Sequence, residues 1–351
     1  MLLKSCSYLS LLATSFICFA LPELPEPVSN NAVAATTVRG KTYLLSASGI
    51  GPAKTSAQIH DKVWLHTLGE YNWTTLPILP NQQRLQGRSG ASAVALNNNF
   101  FILGGAFVQS DGKTTTAADS YRLDPITRRY TRLNDMPVPV DHAAAVAYQN
   151  RSIYLISGFS EYGAVNVVQL FDNFTQRWSQ ATPFPGKPAF GLAAAVAADQ
   201  LIVCDGVTLD YHHSSPQQQP VAECWAGKLG NNANSIAWQS IPHPTGHARY
   251  RLAAATVNVN GEEMAVFIGG SNVPYQLNGR DYQNLVATPS AAVWLYSPKQ
   301  QRWLAAENTT AIMDLRGLIE LPDGLYSLGG MLLEQEVTNK LIKHQIKLLP
   351  E

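Results

Sequence analysis

The chain is short of charge. Of its 351 residues only 14% are Asp, Glu, Lys or Arg, and the two signs cancel, 25 against 25. About a quarter is usual for a soluble domain. A weakly charged, balanced surface gives no electrostatic footprint for nucleic acid. Cysteine is scarce too: four residues, of which Cys6 and Cys18 fall in the first twenty. The remaining pair, Cys204 and Cys224, cannot build a disulfide scaffold or a zinc motif. Whether the two bond or stay as buried thiols depends on strand register, which spacing does not reveal. Long amphipathic or heptad stretches are missing, which excludes helical bundles and coiled coils. So are Gly-x-Ser-x-Gly, His-Glu-x-x-His and a Walker phosphate loop. His212 and His213 stand side by side without organised companion ligands, so neither a metal nor a cofactor is expected.

What the chain does contain is one phrase written six times: an apolar strand that ends in Gly-Gly or a worn version of it. Asn99-Phe-Phe-Ile-Leu-Gly104-Gly105 is the clearest copy. Others end at Ser48-Gly49, Ser157-Gly158, Asp205-Gly206, Gly269-Gly270 and Gly329-Gly330, with second positions 56, 53, 48, 64 and 60 residues apart. That period is too long for a helical solenoid and suits a four-stranded propeller blade with its loops. The expectation is an all-β fold, a six-bladed β-propeller. Small residues on the first strand of each unit, as in Ser92-Ala-Val-Ala and Ala193-Ala-Ala-Val-Ala197, suit the crowded centre of a ring.

Residues 1–20 read as a separate piece. Lys4 precedes an apolar core from Leu9 to Phe19, and Cys18-Phe19-Ala20 has a small-x-small end. This is the pattern of a cleaved secretory signal. It predicts export to the periplasm, no membrane insertion afterwards, and one propeller over 21–351. The Pro-rich stretch 21–30 is expected to complete the last blade, because ring closure removes an exposed sheet edge. Residues 340–348 alternate as a half-exposed strand does.

The third strand of several units ends in an aspartate- or proline-containing turn, with an aromatic residue some six positions on. Tyr121…Asp124-Pro125…Tyr130, Phe171-Asp172…Trp178 and Tyr296-Ser297-Pro298…Trp303 carry this pattern. Together with the glycine pairs it resembles the kelch repeat over roughly residues 30–348. Propellers usually bind at one mouth of the central channel, where the chain enters the innermost strands. The residues there include Arg88, Asp141, His142, Phe190, Arg249, Tyr250, Arg251 and Arg316. Each arginine could simply brace the ring. Jointly they would form a cationic funnel whose guanidinium forks match a carboxylate.

A closer likeness lies in the fifth unit. Phe267-Ile-Gly-Gly-Ser271 followed by Gly279-Arg-Asp-Tyr-Gln-Asn284 resembles the bacterial periplasmic N-acetylneuraminate epimerases (sialic acid mutarotases), whose segment reads Gly-x-Arg-Glu-Asn-Tyr-Gln-Asn. The start Leu21-Pro-Glu-x-Pro is similar as well. The resemblance implies a cofactor-free isomerase acting on a sugar acid. On it, Arg280, Tyr282 and Asn284 are carried over as site residues, with Asp281 at the acidic position. Arg88, Arg251, Arg280 and Arg316 are the candidates for the substrate carboxylate. Tyr282 and Asn284 are offered for its hydroxyl or N-acetyl groups, and His142, His212 and Asp281 for proton transfer. One departure stands out. The family carries a glutamate after the glycine of blade four, whereas this chain reads Cys204-Asp205-Gly206-Val207. Either Asp205, Asp210, His212 or another group takes that role, or the propeller binds a carbohydrate or a protein partner without catalysis.

Overall fold

The computed structural model describes residues 21–80, 87–109, 113–212 and 217–350; the leader expected at 1–20 lies outside them. Each unit pairs a small-residue strand with a β-branched and aromatic one, as Ser92–Leu96 pairs with Asn99–Leu103. Consecutive strands run antiparallel and build meanders. Among the described residues, five four-stranded sheets and the three-stranded sheet of Ile319–Leu321, Gly324–Leu328 and Leu341–His344 each run from an inner to an outer strand in sequence order, and the connecting segments form three smaller sheets of three, two and two strands. The inner strands are Ala32–Val38, Ser92–Leu96, Ala144–Tyr148, Ala193–Ala197, Tyr250–Val259 and Ile319–Leu321. All six sheets contribute to the wall of one central cavity of about 320 Å³. They therefore stand around a common axis as a β-propeller.

Every gap between neighbouring sheets is filled by apolar side chains. Leu45 and Val63 meet Phe100 and Tyr121 between the first and second sheets. Phe101 meets Ile153 and Phe171 in the next gap, and Tyr154 meets Leu201 and Val203 in the one after. Ile202 then packs with Phe267 and Trp294, Val266 with Leu325, and Ile319 with Leu44 and Trp64, which closes the circle. Burying one such side chain is worth roughly 1.5–3 kcal/mol, so each gap is a substantial hydrophobic joint.

The glycine pairs have a steric cause. The second member (Gly49, Gly105, Gly158, Gly206, Gly270, Gly330) has φ between 82° and 118° in all six copies. A Cβ there would lie 2.7–3.0 Å from the carbonyl oxygen of Ser29, Ser89, Asp141, Phe190, Tyr250 or Met313, each in the segment entering the inner strand. Only glycine lets the two backbones approach so closely. The outer aromatics also have a task. Trp73 donates to Pro22 O, Tyr130 to Pro77 O, Trp178 to Asn134 O, Trp238 to Thr182 O and Trp303 to Pro242 O. Each acceptor belongs to the chain just before or leaving the previous sheet. Asp124 and Asp172 cap the preceding turns by accepting two backbone N–H groups each.

The stretch 21–30 lies along the outer side of the last sheet. Leu24 N donates to Asn339 O at 2.7 Å and Val28 N to Thr338 O at 3.2 Å, while Leu24 and Val28 pack with Ile319 and Leu328. At the other terminus the structure corrects an expectation. The last strand covers only Leu341–His344, and the chain then crosses to the fifth sheet, where Ala306 bridges Leu348. Ile346 and Leu348 find an apolar seat beside Val266, Leu295 and Ala306 there, which a continued strand would leave exposed. Cys204 and Cys224, directly opposed in register, form a disulfide. Among the described residues no helix is long and apolar enough to cross a membrane.

Candidate functional site

At one mouth of the channel, one residue from each sheet's entry segment adopts the left-handed conformation. Asn30, Gly90, His142, Gly191, Arg251 and Asp314 have φ of 56°, 66°, 48°, 65°, 54° and 61°. Backbone hydrogen bonds join them: Asn30 N to Asp314 O, His142 N to Gly90 O, Gly191 N to His142 O, Arg251 N to Gly191 O, and Leu315 N to Arg251 O. The remaining step is made by a side chain, since Gly90 N donates to Asn30 Oδ1 at 2.6 Å. The result is a closed ring. Left-handed backbone is costly for residues other than glycine and is retained where surroundings over-determine it. The two glycines make room: a Cβ on Gly90 would meet the His142 ring at 2.4 Å, and one on Gly191 would meet Tyr250 at 2.2 Å.

The four non-glycine members form one buried polar chain. Asn30 Oδ1 is an acceptor, so its Nδ2 donates, to Asp314 Oδ1 at 2.8 Å and to His142 Nε2 at 3.2 Å. The imidazole proton is therefore on Nδ1, which donates to Asp141 Oδ1 at 2.6 Å. Burial, with Arg251 and Arg316 nearby, holds the His142 pKa well below 6.5, so the ring is neutral. Burial pushes Asp141 up to about 7, against the pull of Arg316 and Arg251. Arg251 Nη1 donates to Asp314 Oδ1 at 2.9 Å, and the guanidinium lies over the rings of Tyr250 and Tyr275 at 4.8 and 5.0 Å. Burial opposes its charge, but Tyr250, Asp314 and Tyr275 keep its pKa above the ordinary value. Its Nε is enclosed without a hydrogen-bond partner.

Arg316 reaches across the axis beneath this ring. Its Nη2 donates to Ala143 O at 2.6 Å and to Ser92 Oγ at 3.1 Å, so a residue of the sixth sheet ties the second and third. Burial and then the Arg251 charge lower its pKa to about 10. Above the ring, the insertion 271–290 is held by Gln335, whose Nε2 donates to Gly279 O and to Ala287 O. Lys54 Nζ donates to Gln335 Oε1 at 3.1 Å. Burial and Arg280 lower the Lys54 pKa while Asp314 raises it, so both cations face the same mouth. Phe159, Phe190, Tyr250 and Tyr275, the last from this insertion, stack edge to face in an unbroken arc.

The structure brings His142, Arg251 and Arg316 together, and Arg280 lies within electrostatic reach of Lys54. Arg88 is not at the mouth. Fully enclosed, it donates to Asp119 Oδ1 at 2.8 Å and to Gly104 O, with Asp61 at 3.5 Å, so its fork is consumed in bracing sheets one and two. Arg249 is its counterpart, bonded to Gly269 O and Ala292 O over the Trp294 ring. Asp281 Oδ1 is spent on the N–H groups of Gln283 and Leu285, shaping its own turn rather than entering the network. Tyr282 and Asn284 are exposed, and Asn284 O accepts from Arg280. His212 is exposed on the hairpin of the fourth sheet, outside the ring. Asp205 is buried against His243 Nε2 at 2.8 Å. Val207, at the place of the family glutamate, pairs with Phe190 in an apolar cluster. Sequence reasoning missed Asn30, Asp314, Tyr275 and Gln335. Asn30 and Asp314 could have been found by counting from the glycine pairs to the residue preceding each inner strand. Among the described residues no group of three or more His, Cys, Asp or Glu is arranged to hold a metal ion.

No family model matches the chain. It is similar to Kelch-like protein terF of Aspergillus terreus, 28% identical over 191 residues, which is 52% of this chain and 39% of that protein. It is also similar to Kelch-like protein 15 of Gallus gallus, 28% identical over 116 residues, 33% of this chain and 23% of the other. The matched segments thus span less than half the length of either relative. The solved structure of YjhT superposes with a TM-score of 0.70 at 15% identity, covering 94% of this chain and 99% of that one. The fold is a kelch-type β-propeller.

Proposed function

We propose that the mouth binds a small sugar acid and that the protein is a periplasmic mutarotase interconverting the anomers of N-acetylneuraminate or a related sialic acid. One observation carries the reading. Two buried like-charged groups, Arg251 and Arg316, come together at the mouth, and Arg251 Nε has no partner. Asp314, paired with Arg251, and Asp141, beside both arginines, offset part of that buried positive charge, and a bound carboxylate would offset more. Lys54 and Arg280 add positive charge above, and Asn30, Gln335 and the tyrosines supply amide and phenol groups for hydroxyls. The likeness of 267–284 to the epimerases supports the substrate class. The Cys204–Cys224 bond supports passage into an oxidising compartment. Arg251 would hold the carboxylate, and ring opening followed by rotation beside the carbonyl would exchange the anomers.

The test is NMR of freshly dissolved N-acetylneuraminate with and without protein. Acceleration of the α-to-β exchange is expected, and Arg251→Gln should weaken binding about tenfold or more, the range of a charge-assisted hydrogen bond. The absence of both acceleration and binding would overturn the reading. A second reading has its own observation. Tyr162, Tyr211, Tyr282, Leu285, Val286 and Leu333 are exposed on loops around this same mouth, a pattern that suits a protein partner. An inert mouth, with a partner lost on Tyr211→Ser and Leu333→Ser, would put that reading first.

A further inference from the structure

The mutarotase reading leaves the proton acceptor open. The epimerase glutamate is replaced by Val207, and both ring nitrogens of His142 are occupied, by Asp141 and Asn30. Asp281 is tied into its own turn, and His212 is exposed beside the strand Val207–Asp210. We infer that Asp314 is the catalytic base of this site, its Oδ2 taking the proton of the anomeric hydroxyl. The inference rests on the mutarotase reading and deepens it.

Three facts support the choice. First, the carboxylate is oriented through one oxygen only. Oδ1 accepts from Asn30 Nδ2 at 2.8 Å, from Arg251 Nη1 at 2.9 Å and from the Tyr275 hydroxyl at 3.3 Å. Oδ2 carries no hydrogen bond among the described residues, in a side chain that is only 2% exposed. Second, the position suits the substrate. In a 2-keto sugar acid the anomeric carbon bears the carboxylate, so the base must stand beside the group that holds that carboxylate. Arg251 meets this need, since its charged guanidinium grips Asp314 through Nη1. Third, Asp314 is a non-glycine residue held at φ 61° in the mouth ring, in a backbone state maintained by its neighbours rather than by its own preference.

The step balances without a co-reactant. The anomeric O–H bond breaks and Oδ2–H forms. The ring C–O bond then breaks, its electron pair going to the ring oxygen, and Oδ2 returns the same proton to that oxygen. This leaves the open keto form and a regenerated carboxylate. Rotation of the chain beside the carbonyl and reversal of both transfers give the other anomer.

Asp314→Asn keeps a carbonyl oxygen for Asn30, Arg251 and Tyr275 but cannot accept the proton. Anomer exchange at saturating N-acetylneuraminate should fall about 10²- to 10⁴-fold, the range for general-base catalysis, while the dissociation constant by calorimetry stays within about tenfold. Asp141→Asn is the comparison. If Asp314→Asn exchanges like wild type, the assignment is overturned, and a loss confined to Asp141→Asn would move the role there. Wild-type protein is measured first: an inert wild type overturns the parent reading and this inference with it, whereas an active wild type with an active Asp314→Asn overturns this inference alone. Tyr275→Phe keeps the proposal testable should Asp314→Asn fail to fold. Losing a donor to Oδ1 loosens the orientation of the carboxylate, so the exchange rate at saturation should fall while the dissociation constant stays within about tenfold. A saturated rate unmoved in Tyr275→Phe would also overturn the assignment.

Discussion

A methyl group on Gly105 would sit 2.9 Å from Ser89 O and 3.0 Å from Ala91 N, whereas one on Gly40 would meet nothing within 4 Å. Both glycines have positive φ, 96° and 76°. Gly40→Ala should therefore cost only the left-handed penalty of roughly 1–2 kcal/mol. Gly105→Ala adds a backbone clash, and urea denaturation should show it to be clearly the more damaging of the two. Titration supplies a second prediction at this scale. His60 and His344 are held down to about 4 chiefly by burial, and His142 lies well below its usual value. All three folded values lie beneath the unfolded 6.5, so the stabilisation is present above pH 6.5 and is lost as pH falls toward 4. Asp141, raised to about 7, acts in the opposite sense: its share is full below about 4 and is lost as pH rises through 7. Melting temperature should fall between pH 7 and pH 4.5, and His344→Gln should make that slope shallower.

Among the elements, the insertion 271–290 covers the mouth, with Tyr275 and Ala287 seated in an apolar cluster beside Phe190, Tyr250 and Met331. It bridges to itself at Arg280 and Val286, and it is held from the sixth sheet by the Gln335 amide on Gly279 O and Ala287 O. Tyr275 reaches down from it to Asp314. The groups beneath are almost wholly enclosed, Arg251 at 6% exposure and Asp314 at 1%, so the proposed ligand would reach them only on a shift of this cover. Gln335→Ala should raise amide hydrogen exchange across 279–287 while leaving the strands Tyr250–Val259 and Glu262–Ser271 protected. Equal protection in the variant would mean that the cover is held by its apolar contacts instead.

For the whole molecule the decisive contact is closure. The last sheet has three strands of its own, and residues 21–28 lie beside the outer one through Leu24 and Val28. Pro22 O also receives the Trp73 indole from the first sheet, so one short segment ties the two ends of the ring. Deleting residues 21–28 should uncover a sheet edge and open the joint between the first and last sheets. Size-exclusion chromatography and thermal melts should show aggregation and a lowered transition. A monomer as stable as the intact chain would show that closure does not depend on this segment.

The repeat was legible in the sequence because its causes are local. A glycine is required wherever two backbones approach within a carbonyl's reach, an aspartate wherever a tight turn needs its N–H groups accepted, and an aromatic wherever one sheet donates to the chain behind it. The glycine recurs in all six units, the donating aromatic in five and the capping aspartate in two. The arginines show the limit of that reading. Arg88 and Arg251 stand two residues apart relative to the ring, Arg88 before Gly90 and Arg251 within it. That offset sends one guanidinium between two sheets and the other to the mouth. Asn30 and Asp314 are the extreme case, 284 residues apart and bonded at 2.8 Å. Nothing near either residue in the chain marks the other. The contact arises only when closure brings the first and last units side by side, and the chemistry proposed for the mouth depends on it.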